Sequence, residues 1–239
     1  MSRYHYYDYD YESMAEKKEK AALKLKKYQK KHPDALPISI KGNKIANSFW
    51  GKAWCANLKN YADHDNRISR GRSYIKNGFV FDLKIKKGLI SGVVCGSRNS
   101  LYQVQIHIDP LKDQHLVRQI GGNIGNLEEL AAGKFPKALK EAFLTRGNGL
   151  FPDIEEIQFS CSCPDSAYMC KHISAVLYAV GAKLDIEPLL LFELRGVDTS
   201  TLIKKSVDDK LHALLENART TKSKRIIEDD SVIDLFDLK

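Results

Sequence analysis

Cys161, Cys163, Cys170 and His172 bring three thiols and an imidazole into twelve residues, Cys161-Ser-Cys-Pro-Asp-Ser-Ala-Tyr-Met-Cys-Lys-His172. Three soft thiolates and one imidazole complete a tetrahedral shell for Zn²⁺ and leave no position for water or substrate. A closed shell builds structure, whereas a catalytic zinc keeps one position open. The spacing C-x-C-x₆-C-x-H is not the C-x₂-C knuckle of common zinc fingers. The flanking elements must therefore supply the geometry.

Residues two apart on a strand share a face, so Cys161 and Cys163 can share a metal where a strand ends. Pro164 and Asp165 supply that ending, and the run Ile154 to Ser160 reads as the strand that delivers the pair. Within one helix, Cys170 and His172 would sit about 200° apart. Cys170 must then precede a helix whose first turn holds His172. Ile173, Val176, Leu177 and Val180 follow at helical spacing. A helix N-terminus also favours thiolates through its dipole. Disulfides are the competing use of these cysteines. Five cysteines are an odd number, and the first twenty residues hold no secretory apolar region. No apolar run approaches membrane-spanning length. A reducing, cytoplasmic setting is the expectation, and there this spacing favours zinc.

Cys161-Ser-Cys-Pro-Asp165 and Cys170-Lys-His-Ile173, with Ala175-Val-Leu-Tyr178 behind them, closely resemble the SWIM-type zinc finger, whose pattern is C-x-C-x(n)-C-x-H. The resemblance implies a small β-β-α zinc module that binds DNA or protein and does not catalyse.

The formal net charge is +8, and hydrophobic residues make up 43% of the 239. That suffices for a real core, and the charge suits a nucleic acid or another acidic partner. Position is more telling than the total. Residues 38–115 contain thirteen Lys or Arg against five Asp and no Glu, a local surplus equal to that of the whole chain.

Ser13 and Glu16 form a capping box that opens a helix to about Lys31, with Ala21, Leu25 and Tyr28 as a narrow apolar stripe. We expect a solvated helix lying against the domain, the alternative being a basic arm that tracks phosphate. Asn47 or Ser48 caps a second helix with Trp50, Ala53, Trp54, Asn57, Leu58 and Tyr61 inward. From Arg67 the pattern alternates, and Lys76-Asn-Gly78 and Lys86-Lys-Gly88 read as three-residue hairpin loops. The expected result is a four-stranded meander over residues 67–108, with Phe79, Phe81, Leu83, Ile85, Leu89 and Val93 on its core face. Arg70, Arg72, Tyr74, Lys76 and Lys84 then share the outer face and could grip a nucleic-acid backbone, with Lys171 of the zinc module adding to them. Helices are expected from Asp109-Pro110 to Gly121, over 126–132 and over 136–147, then a short apolar segment at 190–194 and a further helix from Asp198 or Thr199.

The expected architecture is α+β: an antiparallel β meander plus helices, with a β-β-α zinc module. Four stretches follow: a charged tail and helix at 1–37, a β-rich basic region at 38–115, a helical region at 116–205 containing the finger (154–184), and a tail at 206–239. The likeness also extends beyond the finger. Trp50-Gly-Lys-Ala-Trp54, Arg70-Gly-Arg-Ser-Tyr74, Leu130-Ala-Ala-Gly-Lys-Phe-Pro136 and Leu191-Phe-Glu-Leu-Arg-Gly196 resemble a prokaryotic SWIM protein family over about residues 45–205. Members are typically encoded beside a Swi/Snf-type helicase. The resemblance implies a non-enzymatic accessory factor to that motor, and with the basic balance a nucleic-acid-binding one, DNA favoured. We expect it to dock on the motor through exposed positions of the finger's helix such as Ser174 and Tyr178, or through the tail's Val232, Leu235 and Phe236. A protein-interaction adaptor without nucleic-acid contact is the alternative. Neither a Walker loop nor the H-x-E and P-C-x-x-C pair of zinc deaminases is present.

Overall fold

A computed structural model describes residues 12–40, 42–96, 100–112 and 149–220. Among these residues, chain order runs α1 (Met14–Lys31), α2 (Phe49–Asn57, continued by a 3₁₀ turn at Leu58–Asn60), α3 (Asp65–Lys76), β1 (Val80–Lys86), β2 (Leu89–Cys95), β3 (Leu101–Ile108), β4 (Ile157–Cys161), α4 (Lys171–Leu184), α5 (Leu190–Leu194) and α6 (Thr199–Thr220). The strands form one antiparallel sheet in the order β1-β2-β3-β4. The fold is α+β, and the strand leading to the cysteines is part of the same sheet as the meander. No helix of the described residues is long and apolar enough to cross a membrane.

The expected strand at 67–76 is instead helix α3, so the meander's fourth strand is β4. The helical stripe is Ile68, Gly71 and Ile75, all buried. Glycine at its centre hides the helical period, which leaves the alternation of Arg70, Arg72 and Tyr74 conspicuous. Asn77-Gly78 is a helix stop. The Gly78 N–H bonds the Ile75 carbonyl, the Phe79 N–H bonds the Tyr74 carbonyl, and Gly78 has φ 73°. That is a Schellman end, which demands the same left-handed glycine as a hairpin loop.

The β1–β2 loop is also shorter than expected. Lys86 pairs with Leu89 and Ile85 with Ile90, so the loop has two residues, Lys87 and Gly88. A one-residue change in register exchanges the faces of a strand. Ile90 and Val94 therefore point into the main core, while Leu89 is half-buried and Val93 packs on the opposite side. A bulge between Val80 and Asp82 flips β1 midway. Phe79 and Phe81 face α1, and Leu83 and Ile85 face the main core.

Helix α1 has the expected capping box at Ser13 and Glu16 and closes the outer side of β1 by setting Ala21, Leu25 and Tyr28 on Phe79 and Phe81. Helix α4 contacts all four strands on the inner side, with α2 and α3 along its flanks. Both flanks are set by glycine. A Cβ at Gly71 would lie 2.2 Å from Ser174 Oγ, and one at Gly51 would lie 2.4 Å from the Gly181 carbonyl oxygen. Of the expected stripe Trp50, Trp54, Leu58 and Tyr61 are buried and Ala53 and Asn57 half-buried, and Trp54 Nε1–H donates to the Leu177 carbonyl at 2.8 Å.

Arg195 and Glu156 form a buried ion pair, Nη2 lying 3.0 Å from both carboxylate oxygens. Arg195 also donates to the Asp109 carbonyl at 2.6 Å, and its own carbonyl accepts from Leu111 N–H. This pair ties the residues after α5 to the end of β3 and to the start of the zinc strand. Asp109 to Lys112 carry no helix, because their backbone is engaged there. The rest of that expected helix and those at 126–132 and 136–147 lie outside the described residues, as does the tail's Val232, Leu235 and Phe236.

Gly71→Ala should test the α3–α4 contact. Its methyl meets Ser174 Oγ and, at 2.9 Å, the Ala175 backbone nitrogen. We expect a loss of about 1–3 kcal/mol from overpacking, seen as a lower urea midpoint with unchanged slope.

Candidate metal centre

Strand β4 ends at Cys161, and its pairing with β3 runs one residue further. Ser162 N–H donates to the Gln103 carbonyl at 3.0 Å, and Ser162 Oγ accepts from Gln103 N–H at 2.9 Å. The chain then turns at Pro164 and Asp165. Cys170 is the N-cap of α4, with extended backbone angles of −70° and 166°, and His172 sits in the first turn. Strand end and helix start each supply two ligands, as the spacing requires.

One ligand atom from each of Cys161, Cys163, Cys170 and His172 falls within 4.8 Å of all the others. His172 Nδ1 lies 4.0 Å from Cys161 Sγ and 3.9 Å from Cys170 Sγ. A tetrahedral zinc with 2.3 Å bonds to sulfur needs edges of about 3.8 Å, so the donor set fits with small closure. Nδ1 is the ring nitrogen that faces the thiols and would bind the metal. Metal-bound histidines ordinarily hydrogen-bond through the other nitrogen. Here Nε2 is buried without such a partner among the described residues. The ring is positioned by tyrosines instead: Tyr102 at 4.6 Å between centroids and Tyr74 edge-on at 5.5 Å.

Without metal the thiols share protons unequally. A hydrogen bond from Cys161 foremost, then His172 and the N–H groups at the helix start, offset burial and bring the Cys170 thiol down to about 4. Cys161 is pushed up by that same hydrogen bond and by burial, and Cys163 is pushed up chiefly by burial. Zinc must therefore displace protons from Cys161 and Cys163.

The loop between the ligand pairs is held by two carboxylates, Asp63 and Asp165. Asp63, between α2 and α3, accepts from Tyr168 N–H at 2.9 Å and Met169 N–H at 3.4 Å. Burial raises its pKa, but these backbone donors outweigh that and keep it below the usual value. Arg67 of α3 pairs with Asp165 at 3.1 Å. The turn-forming Asp165 was visible in the sequence; Asp63 carried no local signal.

The five basic and aromatic candidates expected on one sheet face do not share it, and the sixth, Lys171, lies in the zinc module as expected. Arg70, Arg72, Tyr74 and Lys76 lie on α3, Lys84 on β1 and Lys171 at the first position of α4. Lys84 is engaged by Asp34 and Asp82. Arg70 and Tyr74, one turn apart, share an edge with Lys171, whose Nζ lies 5.3 Å from the Tyr74 ring centroid. Arg72 is about 200° round the helix from Arg70. Ser174 and Tyr178 are buried, so neither is available to dock on a partner.

Two expectations follow. Purified protein should hold one zinc per chain, lost in Cys163→Ser, with affinity weakening as pH falls because protons reclaim the thiolates; a chromophoric chelator competition reads both. Asp63→Ala should keep the fold but weaken zinc binding by roughly tenfold, because the loop loses its backbone anchor.

Residues 155–181 match the sequence model of the SWIM zinc finger. Over 163 residues the chain is 33% identical to an uncharacterized protein of Mycobacterium tuberculosis, an alignment covering 66% of this chain and 58% of the relative. The chain thus spans a little over half that relative's length. No solved structure matches. The matched segment opens just before β4 and closes within α4, so it encloses all four ligands and both elements that carry them. Residues 155–181 of this chain are a SWIM zinc finger, in which Cys161, Cys163, Cys170 and His172 form a group that could hold the metal.

Proposed function

We propose that this protein is a non-enzymatic nucleic-acid-binding factor, DNA being the favoured ligand, and that the zinc finger holds the basic edge of α3 in place. The observation that carries this reading is the shared tyrosine. Tyr74 packs on the metal-binding His172 and lies under Lys171, while exposed Arg70 precedes it by one turn. Helix α3 holds four basic residues against one acidic, and its Arg67 is joined to the finger loop through Asp165. Zinc acts indirectly, by fixing the loop and the helix start from which these cations project. Lysine and arginine reaching phosphates convey no base identity, so binding is sequence-tolerant and salt-dependent. The zinc shell is full, which leaves no open position for metal-assisted chemistry. The motor that such a factor would serve is, from the family resemblance, a Swi/Snf-type helicase, and the setting is cytoplasmic.

The adaptor reading has an observation of its own. Val207, Leu211, Leu214 and Leu215 of α6 are each at least half exposed. A protein that recovers an ATPase from its native host but shows no salt-dependent DNA binding would decide for it.

Reversing Arg70 and Lys171 to Glu should weaken duplex DNA binding across sequences and flatten the logarithmic salt dependence by about 2, with zinc content unchanged. Arg72→Glu, on the other flank of α3, should cost less. Wild-type affinity and slope in the double variant would overturn the proposal.

A further inference from the structure

Helix α1 carries lysines at 17, 20, 24, 27 and 31. Steps of three and four keep all five on one ridge, each about one turn from the next. The ridge borders the stripe that seats α1 on the sheet, so it overhangs the seam between helix and strands. That seam opens into a cavity of about 430 Å³, lined by Lys24, Lys27, Lys31 and His32 at the rim and by Tyr28, Val93, Leu101 and Gln103 below.

Positive charge is concentrated on this half of α1. From Lys20 to Lys31 there are six lysines and no acidic residue. Lys20 pairs with Glu12, but among the described residues Lys24, Lys27 and Lys31 have no ion-pair partner. Like charges one turn apart on a helix repel by a few tenths of a kcal/mol per pair, so the arrangement calls for an anion. The floor has a different character. Val93 and Leu101 are apolar and only partly covered; beyond them Gln103, Gln105 and His107 of β3 are exposed. Gln105 pairs with Ser160 and His107 with Gln158, extending this neutral polar surface onto β4. Strands β2, β3 and β4 contain no acidic residue.

We propose that the seam between α1 and the sheet binds a single nucleic-acid strand, the lysine ridge tracking its phosphates while unpaired bases lie over Val93 and Leu101 and meet the row of Gln and His side chains. A cationic rim beside a surface that takes base faces and base edges suits a single strand. A duplex hides those faces in its stack, and an acidic peptide would engage the lysines but not the Gln–His row. The seam extends the nucleic-acid reading above to a second surface. A separate, smaller cavity of about 120 Å³ near the start of α1 is lined by Glu12, Lys17, Lys20 and Tyr74, the tyrosine that carries Lys171.

The test compares two triple variants of the full chain, both losing three charges and both keeping α1 helical with alanine. Lys24, Lys27 and Lys31→Ala strips the ridge; Lys18, Lys26 and Lys30→Ala removes lysines from the rest of the helix surface. Binding is read by anisotropy on a labelled oligothymidylate and on a hairpin duplex, with polyglutamate as competitor and circular dichroism reporting the fold. The ridge variant should bind the single strand roughly tenfold or more weakly, with a salt slope shallower by about 2, and bind duplex as wild type does; the other variant should lose much less. Equal losses in the two variants would reduce the effect to net charge and overturn the proposal. So would parallel loss of duplex binding, absence of oligothymidylate binding by the wild type at low salt, or equal competition by polyglutamate at matched charge. The α3 reversals are read on duplex and these variants on single strand, so failure of one proposal is distinguishable from failure of the other.

Discussion

Helix α4 has almost no solvent face: eleven of its fourteen residues are buried. Two of the four ligands lie at its start, and the helices that brace the finger pack along it. Full burial of Ile173, Val176, Leu177 and Val180 is worth about 1.5–3 kcal/mol each before chain entropy is counted. Together that approaches the roughly 10–16 kcal/mol of apparent zinc-binding energy in isolated finger peptides. In such peptides the metal makes the helix. Here the core holds α4, and the metal ties a strand end and a loop to a helix already in place.

That division of labour explains what surrounds the ligands. Cys170 and His172 come with α4, and Cys161 comes with β4, whose pairing to β3 persists through Ser162. The loop between them has no regular structure of its own to hold it. Asp63 and Arg67, from the turn before α3 and from α3 itself, supply its anchors. Tyr74, also on α3, supplies one of the two rings against His172. The same helix thus braces the finger and carries the basic edge next to it, because Gly71 lets α3 lie directly on Ser174 of α4.

The short motifs outside the finger acquire physical reasons from this packing. In Trp50-Gly-Lys-Ala-Trp54 the tryptophans fill the core and Gly51 admits the α4 backbone at Gly181. In Leu191-Phe-Glu-Leu-Arg-Gly196 the three apolar residues are buried, Arg195 neutralises Glu156 at the head of the zinc strand, and Gly196 takes φ 76°. A buried ion pair contributes little to net stability, but removing one partner strands a charge in the core. It therefore specifies where the zinc strand begins more than how firmly it is held.

The metal ligands were legible in the sequence because donor chemistry and ligand spacing are local: two cysteines at a strand end, then a cysteine and a histidine astride a helix start. Helix α1 was legible for the same reason, its capping box and narrow stripe lying within one run of residues. Faces and registers were not. Whether residues 67–76 extend or coil was decided by the fit of Gly71 against Ser174, about a hundred residues away. The face shown by each strand was decided by a two-residue turn at Gly88 and a bulge at Val80 to Asp82. Asp63 met the finger loop only because α2 and α3 pack on α4. A sequence by itself determines the groups that can bind a metal and the caps that can start a helix, since those energies arise between near neighbours. Only the tertiary structure decides which basic side chains meet, because one residue of slip or one missing Cβ moves a whole face.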